Sequence, residues 1–288
     1  MSDTAEGAST ESLDSRGRAA RRRALVGLIV AVGVSALLTI ALWSGTGALD
    51  GFDSEMTGAV RRWADPLGWP VDVAHVLGLV TAPVPSALAA TVVVVILFAT
   101  GYRAPAALLA VSGLVGMAVS ETVKTIIGRS RPPGAEAFEL DLEKSFPSGH
   151  AMVGIYLYLA TGLVLIHLGR LLDRGWMEVV GRVLVVLGPF IGLSRIVLGV
   201  HWPSDIVAGW ALGSVVLLAS ALLLWMPLHR GWTSIHLPAL TAPAVSPTPA
   251  VPPTPAVPPT LAVPPTLAVP PTPPVPPRAG TTPDPPAR

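Results

Sequence analysis

The chain has 288 residues, of which 51% are hydrophobic and only 13% charged, and its formal net charge is +1. Soluble domains carry roughly 25% charged residues, so this composition, with several apolar runs of spanning length, excludes an ordinary soluble core and indicates a membrane protein. With no cysteine, disulfides, thiolate metal sites and a cysteine nucleophile are excluded.

Residues 1–23 form a polar arm that ends in Arg16, Arg18, Arg21, Arg22 and Arg23, a composition expected to be disordered. A first span is predicted over 24–43, too long for a signal-peptide core and closed by Trp43, an interfacial residue. From 44 to 82, charges such as Asp50, Asp53, Arg61, Arg62 and Asp72 alternate with Trp63, Trp69 and apolar residues. This pattern predicts amphipathic helices lying on the membrane. The stretch 71–82 stays ambiguous, because Asp72 and His75 are costly inside lipid. Further spans are predicted over 84–100, 104–127, 151–168, 183–198 and 206–226, with prolines 83, 85, 105 and 203 near their starts. The fold class expected is all-α, a polytopic domain of six transmembrane helices over 24–227.

Arginine placement orients it. With the N-terminus inside, the inner segments carry the 16–23 cluster, Arg103, Arg170, Arg174, Arg182 and Arg230, as the positive-inside rule requires. Both termini are then cytoplasmic, and three polar segments meet on the extracytoplasmic side.

Residues 228–288 are of another kind. Valine recurs every six residues from Val245 to Val275 in repeats such as AVPPTP. A disordered, polyproline II-like tail is expected, either a stiff spacer or a docking tract for a proline-recognising protein.

The first polar segment is KTIIGRSRP, 124–132. Lys124 is one of only two lysines beside 17 arginines, and a helix end near Gly128 would let Arg131 fold back toward it. Alone, such cations could merely snorkel to the interface. The second segment, FPSGH at 146–150, presents backbone N–H groups at a helix start, which suits an anion; alone, Ser148 could be an ordinary N-cap. In the third, SRIVLGVHWPSD at 194–205, His201 and Asp205 stand four apart. The carboxylate can orient the imidazole and leave one lone pair free for attack.

Together these residues suit phosphoryl transfer, which is mostly positioning and charge stabilisation. Lys124, Arg131, Arg195 and N–H groups would cage a phosphate, His201 would attack in line, and His150 would protonate the leaving oxygen and then activate water. The cage supplies the positive charge, so no metal or other cofactor is required. The acidic stretch Glu136, Glu139, Asp141 and Glu143 reads as a solvated loop.

At these residues the sequence resembles the type 2 phosphatidic acid phosphatase family, whose pattern is K-x6-RP, PSGH and SR-x5-H-x3-D. Lys124, Arg131 and Pro132, then 147–150, then Ser194, Arg195, His201 and Asp205 fill it without departure. The resemblance implies a six-helix membrane fold with the site at the outer face. It implies His201 as nucleophile, His150 as acid/base, Asp205 as orienting partner, and Lys124, Arg131, Ser148, Gly149 and Arg195 as phosphate ligands. The substrates it implies are lipid phosphates, among them phosphatidic acid, phosphatidylglycerol phosphate and polyprenyl (pyro)phosphates; nucleic acid is not an expected partner. Low lysine with high alanine and proline suggests a GC-rich bacterial gene, which favours a polyprenyl carrier. The competing readings are a lipid-to-lipid phosphotransferase using the same site and a non-enzymatic membrane scaffold working through its proline tail.

Overall fold

The computed structural model describes residues 3–45, 47–135 and 144–232, with side chains between 17 and 224. They fall in one compact unit, Met1–Ile235. The acidic stretch 136–143 and the proline repeats lie outside the described residues.

Helix α1 runs from Asp3 to Trp43, so the backbone of the basic arm continues the first span as helix. Ala, Glu and Arg, all good helix formers, supply that continuity. Its apolar part, Gly17–Trp43, is only 11% buried and leans along α9, the C-terminal helix Pro203–Trp232.

Helix α2, Asp50–Ala64, inverts the usual amphipathic arrangement. Asp53, Thr57 and Ala64 are buried, while Phe52, Met56 and Trp63, at the same i, i+4, i+11 spacing, are exposed. A helix that buries an aspartate and exposes an aromatic stripe is built for the membrane interface, with lipid covering the apolar side. Helices α3, Trp69–Val80, and α4, Pro83–Ala99, meet at a 56° bend and together have the length and apolarity of one broken span. Pro83 opens α4 without losing a hydrogen bond. The ambiguous 71–82 stretch is therefore mostly the first half of that span. α4 packs on α5, Arg103–Ile127, and turns Val84, Leu88, Val92, Val95 and Phe98 outward.

The central span is Gly149–Leu171, the most buried of the candidate spans at 61%. It consists of α6 (Gly149–Val153), a π-helical turn (Gly154–Leu159) and α7 (Ala160–Leu171). Helix α8, Gly175–Val197, crosses it on paired glycines. A Cβ at Gly154 would strike the Gly188 carbonyl, and one at Gly162 would lie 2.6 Å from the Gly181 carbonyl. Small residues permit this backbone approach, which lipid-embedded helices use in place of a hydrophobic driving force. α8 starts eight residues before the predicted 183. Arg182 donates to Glu178 one turn earlier at 2.7 Å, so these charges cap the span and do not break it.

Among the described residues five helices are long and apolar enough to cross a membrane, or six with the bent pair taken as one span. The predicted six-span count agrees with the second figure.

Candidate active site

Two connections, α5–α6 and α8–α9, meet the start of α2 beside the α3–α4 bend. α5 ends at Gly128, whose positive φ of 61° carries the chain out of the helix while its N–H still donates to the Lys124 carbonyl. The chain turns, and Arg131 reaches the same cavity as Lys124. The α6 start is capped by Ser148, whose Oγ accepts from the Ala151 N–H at 3.4 Å. α9 starts at Pro203, and Asp205 reaches back from the first turn to accept the Trp202 N–H at 2.9 Å. This is half of a capping box and fixes the Asp205 carboxylate.

A cavity of about 260 Å³ is lined by Thr81, Pro83, Lys124, Arg131, Gly149, His150, Val153 and His201. His201 is 2% exposed. Its Nε2 lies 3.2 Å from Arg131 Nη1, and arginine can only donate, so Nε2 holds the lone pair and Nδ1 the proton. That Nδ1 faces Asp205 Oδ2 at 3.5 Å. The imidazole is therefore in the tautomer that leaves its Nε2 lone pair accepting from Arg131 at the cavity wall. Arg131 is held by the Val200 carbonyl at 2.9 Å, and Lys124 by Glu121 at 3.1 Å. Gly149 also lines the cavity, where a Cβ would sit in ordinary contact with Ser120 Oγ at 3.6 Å and Lys124 Nζ at 3.7 Å.

The other two expected phosphate ligands are placed differently. Ser148 is fully buried; its hydroxyl caps α6 and its N–H donates to the Asp205 carbonyl at 3.2 Å. Arg195, 3% exposed, donates to the Ala74 carbonyl of α3 at 2.9 Å. His150 lines the cavity, but its Nε2 donates to the Gly78 carbonyl one turn along α3 at 3.2 Å. One helix thus receives both side chains. A Cβ at Gly78 would run into the Arg195 guanidinium, so an alanine there must move that side chain. Gly78→Ala is expected to displace Arg195 and raise KM by roughly 10- to 100-fold, the cost of one charge-assisted hydrogen bond. Inhibition by orthovanadate checks this, and an unchanged inhibition constant would mean that Arg195 takes no part in binding an anion.

Two features of the site were not read from sequence. The first is an apolar groove of about 330 Å³ between α4 and α5, lined by Ala87, Val94, Leu109, Leu114, Met117 and Tyr156 among others. It shares Pro83, Lys124, Gly149 and Val153 with the polar cavity. The second is Arg129, 11% exposed, which pairs with the fully buried Asp53 at 2.6 Å and Asp205 at 2.8 Å. The sequence hinted at it only through a second arginine inside GRSRP. Among the described residues no group of three or more His, Asp or Glu is placed to hold a metal ion.

A family model described as the PAP2 superfamily matches residues 105–228. The chain is 32% identical over 111 residues to an undecaprenyl-diphosphatase of Sulfolobus acidocaldarius, covering 37% of this chain and 48% of that one. It is 37% identical over 109 residues to a decaprenylphosphoryl-5-phosphoribose phosphatase of Mycobacterium tuberculosis, covering 35% and 51%. It is 34% identical over 97 residues to phosphatidylglycerophosphatase B of Bacillus subtilis, covering 33% and 46%. The chain thus spans about half the length of these curated relatives. In fold it is similar to the crystal structure of a transmembrane PAP2 type phosphatidylglycerolphosphate phosphatase from Bacillus subtilis. The TM-score is 0.55 at 22% identity, over 72% of this chain and 96% of that one.

Proposed function

We propose, from the match of residues 105–228 to the PAP2 superfamily model and the geometry of the site, that this chain hydrolyses the phosphate monoester or pyrophosphate of a membrane lipid. The observation that carries this is the junction of the two cavities. A cationic cavity holding His201, His150, Lys124 and Arg131 opens into an apolar groove between α4 and α5. A charged headgroup with a long hydrocarbon chain matches both halves, whereas a water-soluble phosphate ester would leave the groove empty.

The reaction proceeds in two displacements. His201 Nε2 attacks phosphorus, the bond from phosphorus to the leaving oxygen breaks, and His150 gives that oxygen a proton. As the imidazole becomes cationic, the Nδ1–H is held by the Asp205 carboxylate. Water, deprotonated by His150, then attacks the phosphohistidine; the P–N bond breaks and inorganic phosphate leaves. Lys124 and Arg131 face the cavity and carry the charge that builds on the equatorial oxygens, joined by Arg195 when phosphate draws it from the Ala74 carbonyl. Their positive charge makes a metal unnecessary. By the arginine distribution the site opens on the extracytoplasmic face and the termini are cytoplasmic.

The test is phosphate release in detergent with EDTA present throughout. A long-chain lipid phosphate or pyrophosphate should be turned over with kcat/KM at least about a hundredfold above a short-chain ester, since burial of apolar chain contributes about 0.8 kcal/mol per CH₂. Equal values for both substrates would discard the groove as a chain site. Complete loss in EDTA, restored by Mg²⁺, would overturn the metal-free mechanism. Transfer to a second lipid without free phosphate would establish the transferase instead.

A further inference from the structure

We infer that Arg129 and Asp53 are positioning residues that hold Asp205 for His201 and tie the nucleophile to the interfacial helix α2. The inference rests on the proposed role of His201. The contacts centre on the Arg129 guanidinium, with the exposed Asp50 Oδ1 at their edge, 3.9 Å from Nη2. Arg129 Nη1 donates to Asp205 Oδ1 at 2.8 Å and to Ser204 Oγ at 2.7 Å, and its Nη2 donates to Asp53 Oδ2 at 2.6 Å. Ser204 returns two bonds to Asp53, from its N–H to Oδ1 at 2.9 Å and from its hydroxyl to Oδ2 at 2.5 Å. The Arg129 guanidinium also lies 5.5 Å over the Trp202 ring.

Each member has a separate consequence. Two carboxylates fully removed from water repel one another; the guanidinium between them offsets that repulsion. Occupying Oδ1 of Asp205, Arg129 leaves Oδ2 for the Trp202 N–H and for His201 Nδ1. Arg129 alone would also cancel the Asp205 charge. Asp53 restores it, since the two buried carboxylates and one guanidinium sum to a net negative charge, and the exposed Asp50 at 3.9 Å adds to the same sign. That remaining charge is what steadies the imidazolium formed when His201 bonds to phosphorus. Other charged groups near His201 are cationic or titratable: Arg131 in contact with it, and His150 and Lys124 across the cavity. The negative balance therefore comes from behind the ring, through the clamp. A purely structural brace would need neither the uneven charge nor the shared oxygen.

The test compares Arg129→Gln, Arg129→Lys, Asp53→Asn and the Asp53→Asn/Arg129→Gln double variant with wild type and His201→Ala, all as full-length protein in detergent. Measurements are kcat, KM, inhibition by orthovanadate, and the melting temperature. Arg129→Gln and Asp53→Asn should each lower kcat by roughly 10- to 100-fold, the size typical of a lost partner behind a working group, with KM and vanadate inhibition within about threefold. Arg129→Lys should recover most of the kcat, and the double variant should be no slower than the worse single one, as expected of residues acting as a unit. Wild-type kcat in both single variants overturns the inference. So does a joint fall of kcat, vanadate binding and melting temperature that lysine does not repair, because that marks a brace for the fold. Phosphate release by His201→Ala at the wild-type rate would overturn the reading of the nucleophile and the inference with it, while an inactive His201→Ala beside unaffected clamp variants removes the inference alone.

Discussion

Replacing His201 by alanine is expected to cut phosphate release by at least about a thousandfold while leaving KM within a few-fold of wild type. Its Nε2 lone pair is the group at the cavity wall, accepting from Arg131 at 3.2 Å. Removing it deletes a bond that exists only along the reaction path, so the loss falls on kcat and not on ground-state binding. Lys124 and Arg131 are untouched in this variant and still bind the phosphoryl group. The residual rate is what charge stabilisation alone can give to direct attack by water. Acid-labile phosphate should be trapped on wild-type protein during turnover and be absent from the variant. If His201→Ala retained more than about a tenth of the wild-type kcat, direct attack by water would replace the covalent mechanism.

His150→Gln should divide the two displacements. With a lipid alcohol as leaving group, the missing proton donor should lower turnover by roughly 10²- to 10⁴-fold. An activated ester such as p-nitrophenyl phosphate needs no proton on departure, so its first displacement should survive. The second still requires a base for water, and the variant should accumulate phosphohistidine after one burst of nitrophenol equal to the enzyme present. Glutamine can keep the contact with the Gly78 carbonyl that the imidazole Nε2 makes at 3.2 Å, so α3 need not shift. Equal rate losses with both leaving groups, and no burst, would show that His150 only shapes the cavity.

The site was legible where its residues are close in sequence. Lys124 and Arg131 are joined by one helix end and one turn, and His201 and Asp205 by the start of α9, so their spacing alone predicts that they meet. Asp53 was not legible. Its partners Arg129 and Ser204 lie 76 and 151 residues away, and on α2 it reads as another interfacial charge. Only the inversion of that helix, which buries the acid and exposes Phe52 and Trp63, shows the difference. Asp72 and His75 obscured the broken span, because both are costly in hydrocarbon; they are exposed on α3, one side of the bend. Ser148 shows the limit of a motif. The residue stands at its position in the pattern, yet its hydroxyl serves the helix start, the use that spacing alone could not separate from anion binding.

The paired glycines where α8 crosses the central span act as a ruler for the chemistry. His150 stands at the head of that span, and α8 ends at Val197, four residues before His201. Gly154 meets Gly188 one turn below His150, so the gap between His150 and His201, the proposed proton donor and nucleophile, is gauged by two touching backbones. A methyl group added at either glycine would wedge the helices apart and be felt above as a longer reach between the two histidines. On the proposed mechanism, the tolerance of the reaction would be set by a contact that touches neither histidine.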